Sequence, residues 1–431
     1  MATVPASTVV IVDPVRAGTK IPQLFNGLGY RCLCVLSVDS DSQFWRASLR
    51  PQDFLAVLCE SDGMDVLLRQ LSAYQIACVV PGGESGVDLA DRLTPRIPGV
   101  PAMDPATAHG RRDKYHMAEA LRAAGVAAIP HLRTADVEDA VAWCRDRPEP
   151  HVVVKPLAGT SAEGVRFCAG PAEVRAAFAE LRGTVSMFGQ VNDELLVQAD
   201  VLRGGGVEYT VNSASSRGRH HITDVWRMRR TMVGATAVCV YSELVHPDEP
   251  EFPALAGYCA RVLTALGIDN GVAHSEIMLT RDGPVLIETG ARVEGACDPA
   301  IAQQVVGHSQ NSLLVAAYLD PDAFGHAIAR PAPRPRRYAR HVYLLCAAAG
   351  PVVAAPDFGP IRALPTFAGM DTTLDTATDL TATVNLATCP GNLYLVSDNP
   401  EAIEADYVQL RTLEIALYTG MLDPAPIPGR T

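Results

Sequence analysis

Polar and apolar residues alternate along two stretches that flank a turn, His274 to Thr280 and Pro284 to Arg292. Alternation with period two is the pattern of a strand with one buried face. Between them, Arg281-Asp282-Gly283 predicts a three-residue turn with glycine in the left-handed position. With Thr280 paired to Pro284, Glu276 stands directly opposite Glu288, and the two side chains share a face with Cβ atoms about 5 Å apart. The same period sets His274 and Arg292 on that face, while Ile277, Leu279, Val285 and Ile287 point into a core.

Elsewhere the pattern predicts strands and helices in alternation. Thr8 to Val12, Arg31 to Val38 and Ile76 to Val80 are apolar runs of buried-strand length, with a helix after Gly18. Such alternation predicts a parallel, doubly wound sheet. The proline-rich Thr94 to Pro105 looks like a domain exit. A helix is expected from about Asp113 to Ala124, with Gly125 as its cap, then a linker. Strands follow at His151 to Lys155, Val165 to Cys168, Glu194 to Val201 and Val207 to Asn212, with helices at Ala172 to Leu181 and Phe252 to Leu266. Ala332 to Arg337 has linker composition, and a helix near 402–417 closes a region of short strands. The fold class is therefore α/β: residues 1–105 as a doubly wound domain, 106–200 and 201–330 as a two-part α+β core, and 331–431 as a small α+β domain.

Length and composition narrow the function. A chain of 431 residues, 48% hydrophobic and 19% charged, is globular and too long for one ordinary core. A net charge of −12 argues against a general nucleic-acid binder. No apolar run is long enough to span a membrane, and the first residues lack the basic start of a signal peptide. Eleven scattered cysteines with no C-x-x-C fit a reducing, cytoplasmic setting. The turn after the first strand, Asp13 to Gly18, has no G-x-G-x-x-G, which argues against a dinucleotide site.

The chemistry gathers around the hairpin. Two facing carboxylates repel each other and invite a hard divalent cation, and an arginine just beyond suits a nucleoside triphosphate carrying magnesium, with manganese as a substitute ion. Lys155 ends an apolar strand. The loop after it, Leu157 to Gly164, contains Gly159, Ser161 and Gly164, whose backbone N–H groups and small side chains suit a flap over phosphates. It lacks the order of a Walker loop. Glu84 lies where open α/β sheets bind ligands, and a substrate ammonium is its candidate partner. Arg227 and Arg229 are candidates for a substrate carboxylate, with solvated strand charge as the alternative. Ala296 hints at a roomy substrate pocket.

Lys155-Pro with its glycine-rich loop, Val197 to Val201, Gly206 to Thr210, Glu276 and the cluster Glu288-Thr-Gly-Ala-Arg292, in this order, resemble the ATP-grasp superfamily. Gly271 to Glu276 and Gly283 to Gly295 resemble its carboxylate–amine ligases, above all the L-amino acid ligases that make dipeptides. The resemblance implies a role for each matching residue. Lys114 and Lys155 would contact phosphates. Gln198 to Val201 would form the hinge that holds adenine, with Val201 packed on the ring. Glu208 would bind ribose, Glu276 and Glu288 magnesium, and Arg292 the γ-phosphate and the acyl phosphate. A surface lysine remains the alternative for Lys114 and an exposed strand glutamate for Glu208. Many relatives carry an asparagine where this chain has Gly290, and often an acid where it has Gln198. His274 would orient the amine or accept its proton, with a structural histidine as the alternative. The implied reaction joins amino acids through an acyl phosphate, releasing ADP and phosphate, with a homodimer as the implied assembly. An ATP-grasp carboxylase or thioester-forming ligase, and a non-catalytic nucleotide binder, are the competing readings.

Overall fold

Five consecutive buried residues, Thr8–Val12, form β1, the inner strand of a parallel sheet. The computed structural model describes residues 7–37, 49–159, 163–186, 189–233, 236–296, 298–329, 336–375, 379–384 and 388–422. With β2 (Arg31–Leu36), β3 (Val57–Cys59) and β4 (Ile76–Pro81), β1 makes a four-stranded sheet in the order β3-β2-β1-β4. Both faces are covered, which explains the uninterrupted apolar runs. Val10, Val12, Leu33 and Val79 pack on the helices Met64–Leu71 and Gly86–Leu93. Val9, Ile11, Cys32 and Val80 pack on Phe25 and on Leu313 and Leu314 of the helix Gln310–Leu319. That second cluster also contains Ala214, Val272 and Val293, so it anchors the strands of the site to the N-terminal sheet.

A smaller antiparallel sheet follows, made of β5 (His131–Thr134), β6 (Val152–Pro156), β7 (Arg166–Cys168) and β8 (Leu195–Ala199) in the order β5-β8-β6-β7. The helices Val137–Arg145 and Pro171–Leu181 cover it through Val141, Val174 and Phe178. The linker expected after Gly125 is thus partly regular. Asp136 accepts the Glu138 N–H at 2.8 Å and starts a helix there. β5 is a short strand with charged positions, too brief for a periodic signal.

Two units divide the chain, Met1–Val225 with His246–Ala332 and Trp226–Val245 with Pro333–Thr431. In the first, β9 (Val207–Ser216), β12 (Gly271–Thr280) and β13 (Gly283–Gly290) run antiparallel in the order β13-β12-β9. Tyr258, on the helix Phe252–Ala265, locks β13 in place. Its hydroxyl donates to Ala127 O at 2.6 Å and accepts the Leu286 N–H at 2.8 Å. The strand β10 (Arg219–Val233) starts beside β9 and belongs to the second unit from Trp226. There β10 is followed by β11 (Thr236–Leu244), β14 (Tyr338–Tyr343) and, beyond them, β15 (Phe367–Thr372) and β16 (Gly391–Ser397) in the order β11-β14-β16-β15. The helix Pro400–Met421 buries Leu410 and Leu417 against Leu393 and Leu395. The segment read as an interdomain linker falls mostly outside the described residues. Among the described residues no helix is long and apolar enough to cross a membrane.

Candidate active site

Glu276 stands opposite Glu288, and His274 opposite Gly290. The route to this register differs from the one expected. Thr280 pairs with Gly283, so the turn has only Arg281 and Asp282 at its tip. A bulge between Glu276 and Ile277 then puts Ile287 out of pairing and restores the facing glutamates. The bulge also changes what is buried. Ile277 and Leu286 are buried, whereas Leu279, Val285 and Ile287 are half-buried. Ser275 and Thr289 share a 2.7 Å hydroxyl hydrogen bond that stitches the two strands behind the carboxylates.

β9 completes the face. Glu208, Thr210 and Asn212 lie opposite Met278, Glu276 and His274. Period two places all six side chains with Glu288. Both carboxylates keep about a quarter of their side-chain surface exposed, at 26% for Glu276 and 24% for Glu288, so a ligand can reach them.

Cations surround the pair. Asp113 caps the helix Lys114–Ala123 by accepting the His116 N–H. This starts the helix so that Lys114 Nζ meets Glu288 Oε2 at 2.7 Å and donates to Gly159 O at 3.3 Å. The Lys114 N–H also donates to Leu157 O at 2.9 Å, which ties the helix to the start of the glycine-rich loop. Burial lowers the Lys114 pKa, but Glu288, with Glu84 and Glu276, outweighs it and raises it overall. Lys155, at the end of β6, is 4% exposed and makes no ion pair among the described residues. Burial, and then the nearby Lys114, push its ammonium down to about 8 against the pull of Glu288, Glu276 and Glu208.

Glu84 reaches in from the loop after β4. Its carboxylate accepts from Arg292 Nε at 2.9 Å and from Arg112 Nη1 at 3.0 Å. Burial raises its pKa, but Arg292 and then Arg112 outweigh that and hold it below the ordinary carboxylate range. Arg292 follows β13 in a tight turn in which its N–H donates to Gly290 O. His274 is buried, with Nδ1 at 3.3 Å from Asn212 Oδ1 and Nε2 at 3.6 Å from Glu276 Oε1.

The other expected residues fall as follows. Gln198 is buried on β8 between Val153 and His131, and Val201 is half-buried just past that strand. Glu208 is buried at the start of β9. Gly164 has φ +68, and a Cβ there would lie 2.9 Å from Pro156 Cγ, so glycine shapes the base of the loop. Ser161 lies outside the described residues. Arg227 belongs to the second unit, where it is half-buried opposite Glu243 on β11, and Arg229 is exposed there.

These parts match a known pattern. The family model of the ATP-grasp domain matches residues 148–300. Dapdiamide A synthase of Enterobacter agglomerans is 30% identical over 434 residues, spanning 96% of this chain and 98% of that protein. The chain belongs to the ATP-grasp family. Within it the chain is a carboxylate–amine ligase, an ADP-forming enzyme that makes carbon–nitrogen bonds. The fold agrees. An L-amino acid ligase from Bacillus licheniformis superposes with a TM-score of 0.74 at 17% identity, covering 95% of this chain and 98% of that one. A carboxyaminoimidazole ribonucleotide synthase from Aspergillus clavatus, solved with ATP, gives 0.66 at 12% identity, covering 96% and 99%.

One departure of this ATP-grasp ligase has a structural explanation. A Cβ on Gly290 would sit 2.7 Å from Glu84 Oε2 and 3.4 Å from Arg292 Nε. The space an asparagine would take is filled by the carboxylate of Glu84. Three residues of the ligase's site escaped the sequence reading. Thr210 and Asn212 were legible from the alternation of β9, which continues past Glu208. Arg112 had no local signal beyond its place in the charged run Arg111 to Lys114, because its contact with Glu84 depends on how the helix docks on the N-terminal sheet.

Proposed function

We propose that the enzyme activates the carboxylate of one amino acid with ATP and joins it to the amine of another. The observation that carries this reading is the facing pair Glu276 and Glu288, with Lys114 on one carboxylate and Arg292 close by on Glu84. Among the described residues no group of three or more His, Cys, Asp or Glu is arranged to hold a metal ion. A magnesium ion carried by ATP needs only one or two carboxylates, with phosphate and water oxygens completing its shell, so the pair fits it. When bound, magnesium offsets charge on the phosphates during transfer.

The chain's own groups do the rest. Lys114 exchanges Glu288 for phosphate oxygens as the nucleotide enters. Lys155, buried and without an ion pair among the described residues, supplies a second ammonium. Gln198 to Val201 take the adenine and Glu208 the ribose, and the loop from Leu157 to Gly164 shuts out water that would hydrolyse an acyl phosphate. Glu84 receives the substrate ammonium on lone pairs that its two arginines leave open, and the N–H groups of Arg292 not used on Glu84 and Val293 O meet the carboxylate being phosphorylated. The amine then attacks the acyl carbon beside His274, and phosphate leaves. Ten free cysteines among the described residues support a reducing, cytoplasmic setting. Incubation with ATP and pooled amino acids is expected to yield amide products with ADP and phosphate. Release of AMP and pyrophosphate would reject the mechanism.

The pH dependence of ATP binding tests the role of Lys155. Its ammonium titrates near 8 in the free protein. Contact with polyphosphate raises that value in the complex. Below about pH 8 both states hold the proton, so the contact contributes in full. Above it only the complex does, so binding must draw a proton from solution and affinity falls about tenfold per pH unit. Calorimetry in buffers of different ionisation enthalpy is expected to show proton uptake at about pH 9 and little at about pH 6.5. Binding with no uptake at the higher pH would contradict the assignment.

Gly290→Ala tests the place of Glu84. The added methyl would lie 2.7 Å from the Glu84 carboxylate and 3.4 Å from Arg292 Nε, so the ammonium site takes the larger disturbance. The expected outcome is a KM for the amino acid raised about tenfold or more with the KM for ATP little changed. Equal changes in both would assign Glu84 another role.

A further inference from the structure

Behind His274 lies a buried polar cluster that the reaction outlined above does not use. Asn212, on β9, is 2% exposed and stands in register with His274. Its amide nitrogen Nδ2 donates to Asp224 Oδ1 at 2.7 Å and to Glu294 Oε2 at 3.4 Å. Asp224 is 4% exposed and Glu294 7%. The Thr223 hydroxyl donates to the other oxygen of Asp224 at 2.8 Å. The Glu294 N–H donates to Gln310 Oε1 at 2.7 Å, and Gln310 Nε2 donates to Ala273 O at 2.8 Å. The cluster is therefore fixed from β9, β10, β12 and the helix Gln310–Leu319.

Its chemistry dictates one orientation. An ionised carboxylate only accepts hydrogen bonds, so the NH2 end of Asn212 must face Asp224 and Glu294. The carbonyl end is left for His274 Nδ1, at 3.3 Å. A carbonyl oxygen also only accepts, so Nδ1 carries the ring hydrogen. Nε2 is then the ring nitrogen turned to the reaction side, 3.6 Å from Glu276 Oε1.

We infer that Asn212, held by Asp224 and Glu294, is a positioning residue that makes His274 Nε2 the acceptor for an N–H of the incoming amine. An amine held by that contact points its own lone pair at the acyl carbon, the arrangement in which the C–N bond forms as the C–O bond to phosphate breaks; phosphate leaves with that electron pair and the N–H proton passes to Nε2. The inference rests on the acyl-phosphate reading, and the test separates the two. Asn212→Leu keeps the shape of the side chain and removes both ends of its amide. Hydroxylamine is a small, strongly nucleophilic amine that captures an acyl phosphate without needing to be oriented.

In the wild type, hydroxamate formation with ATP and the carboxylate substrate is expected, and its absence would sink the acyl-phosphate reading itself. In Asn212→Leu, amide formation with the amino-acid amine is expected to fall about 100-fold, while hydroxamate formation stays within about threefold of wild type. A parallel fall in both rates, or no fall in amide formation, would overturn the positioning role. Should that variant fail to fold, the tautomer decides the matter in the intact enzyme. With 15N-labelled histidine, and His274→Gln to assign the signal, the ring is expected to carry a hydrogen on Nδ1, the nitrogen that faces Asn212 Oδ1. An Nδ1 without a hydrogen would overturn the inference.

Discussion

Glu276→Gln is expected to abolish ATP turnover while leaving the ligand-free protein at least as stable as the wild type. The two halves of this result have one cause. Glu276 and Glu288 face each other in register, so each carboxylate raises the cost of the other until a cation joins them. Removing one charge from Glu276 relieves that repulsion, which offsets the attraction to Lys114 and Lys155 that the empty protein gives up. The same change takes away one of the two carboxylates offered to magnesium. A metal clamp contributes several kcal/mol to phosphoryl transfer, so kcat is expected to drop about 1000-fold or more. Thermal melts complete the test. Wild-type protein should gain about 2.7 kcal/mol from Mg–ATP at a hundred times its Kd, and the variant should gain little. Glu288→Gln should differ in one respect. It strands Lys114, whose ammonium sits 2.7 Å from Glu288, so it should melt lower than Glu276→Gln even without ligand. Equal melting of the two variants would contradict the assigned partners.

Arg292→Lys is expected to cost about 100- to 1000-fold in kcat with little change in the KM for ATP. Charge is conserved in this substitution, and geometry is not. The Arg292 guanidinium uses Nε on Glu84 and Nη1 on Val293 O, an anchored fork whose remaining N–H groups are free to meet a planar carboxylate or a phosphoryl group. An ammonium on a flexible stem cannot hold both anchors and the reacting group at once. The loss therefore falls on the transition state rather than on nucleotide binding. Steady-state kinetics with ATP varied at saturating amino acid measure this. A rise in the KM for ATP with kcat intact would place Arg292 in ground-state binding instead.

The sequence was most legible where period two alone decides the outcome. The facing glutamates, and His274 opposite Gly290, emerge from alternation counted outward from a turn. The turn is one residue shorter than the spacing predicts, and the bulge at Ile287 offsets the difference. A hydrophobic pattern does not mark a bulge, because an extra residue shifts which side chains are buried without changing the composition of the strand. That is why Leu286 is buried while Val285 and Ile287 are only half-buried. The long apolar runs of the N-terminal sheet were legible for the opposite reason, since both faces are covered and no alternation is needed. Contacts made by docking were not legible at all. Glu84 could be placed at the mouth of its sheet, but its grip on Arg292 and Arg112 joins residues far apart in the chain. Once that grip is known, the glycine at position 290 follows from it.

The central claim is that a carboxylate oxygen attacks the γ-phosphate of ATP between Glu276, Glu288 and Arg292. Transfer of 18O tests it most directly. The enzyme is supplied with ATP and an amino acid labelled in both carboxylate oxygens, and the products are weighed by mass spectrometry. Activation through an acyl phosphate is expected to leave one labelled oxygen in the amide product and the other in the inorganic phosphate, with ADP unlabelled. Label in AMP, or unlabelled phosphate released alongside a labelled amide, would contradict the account.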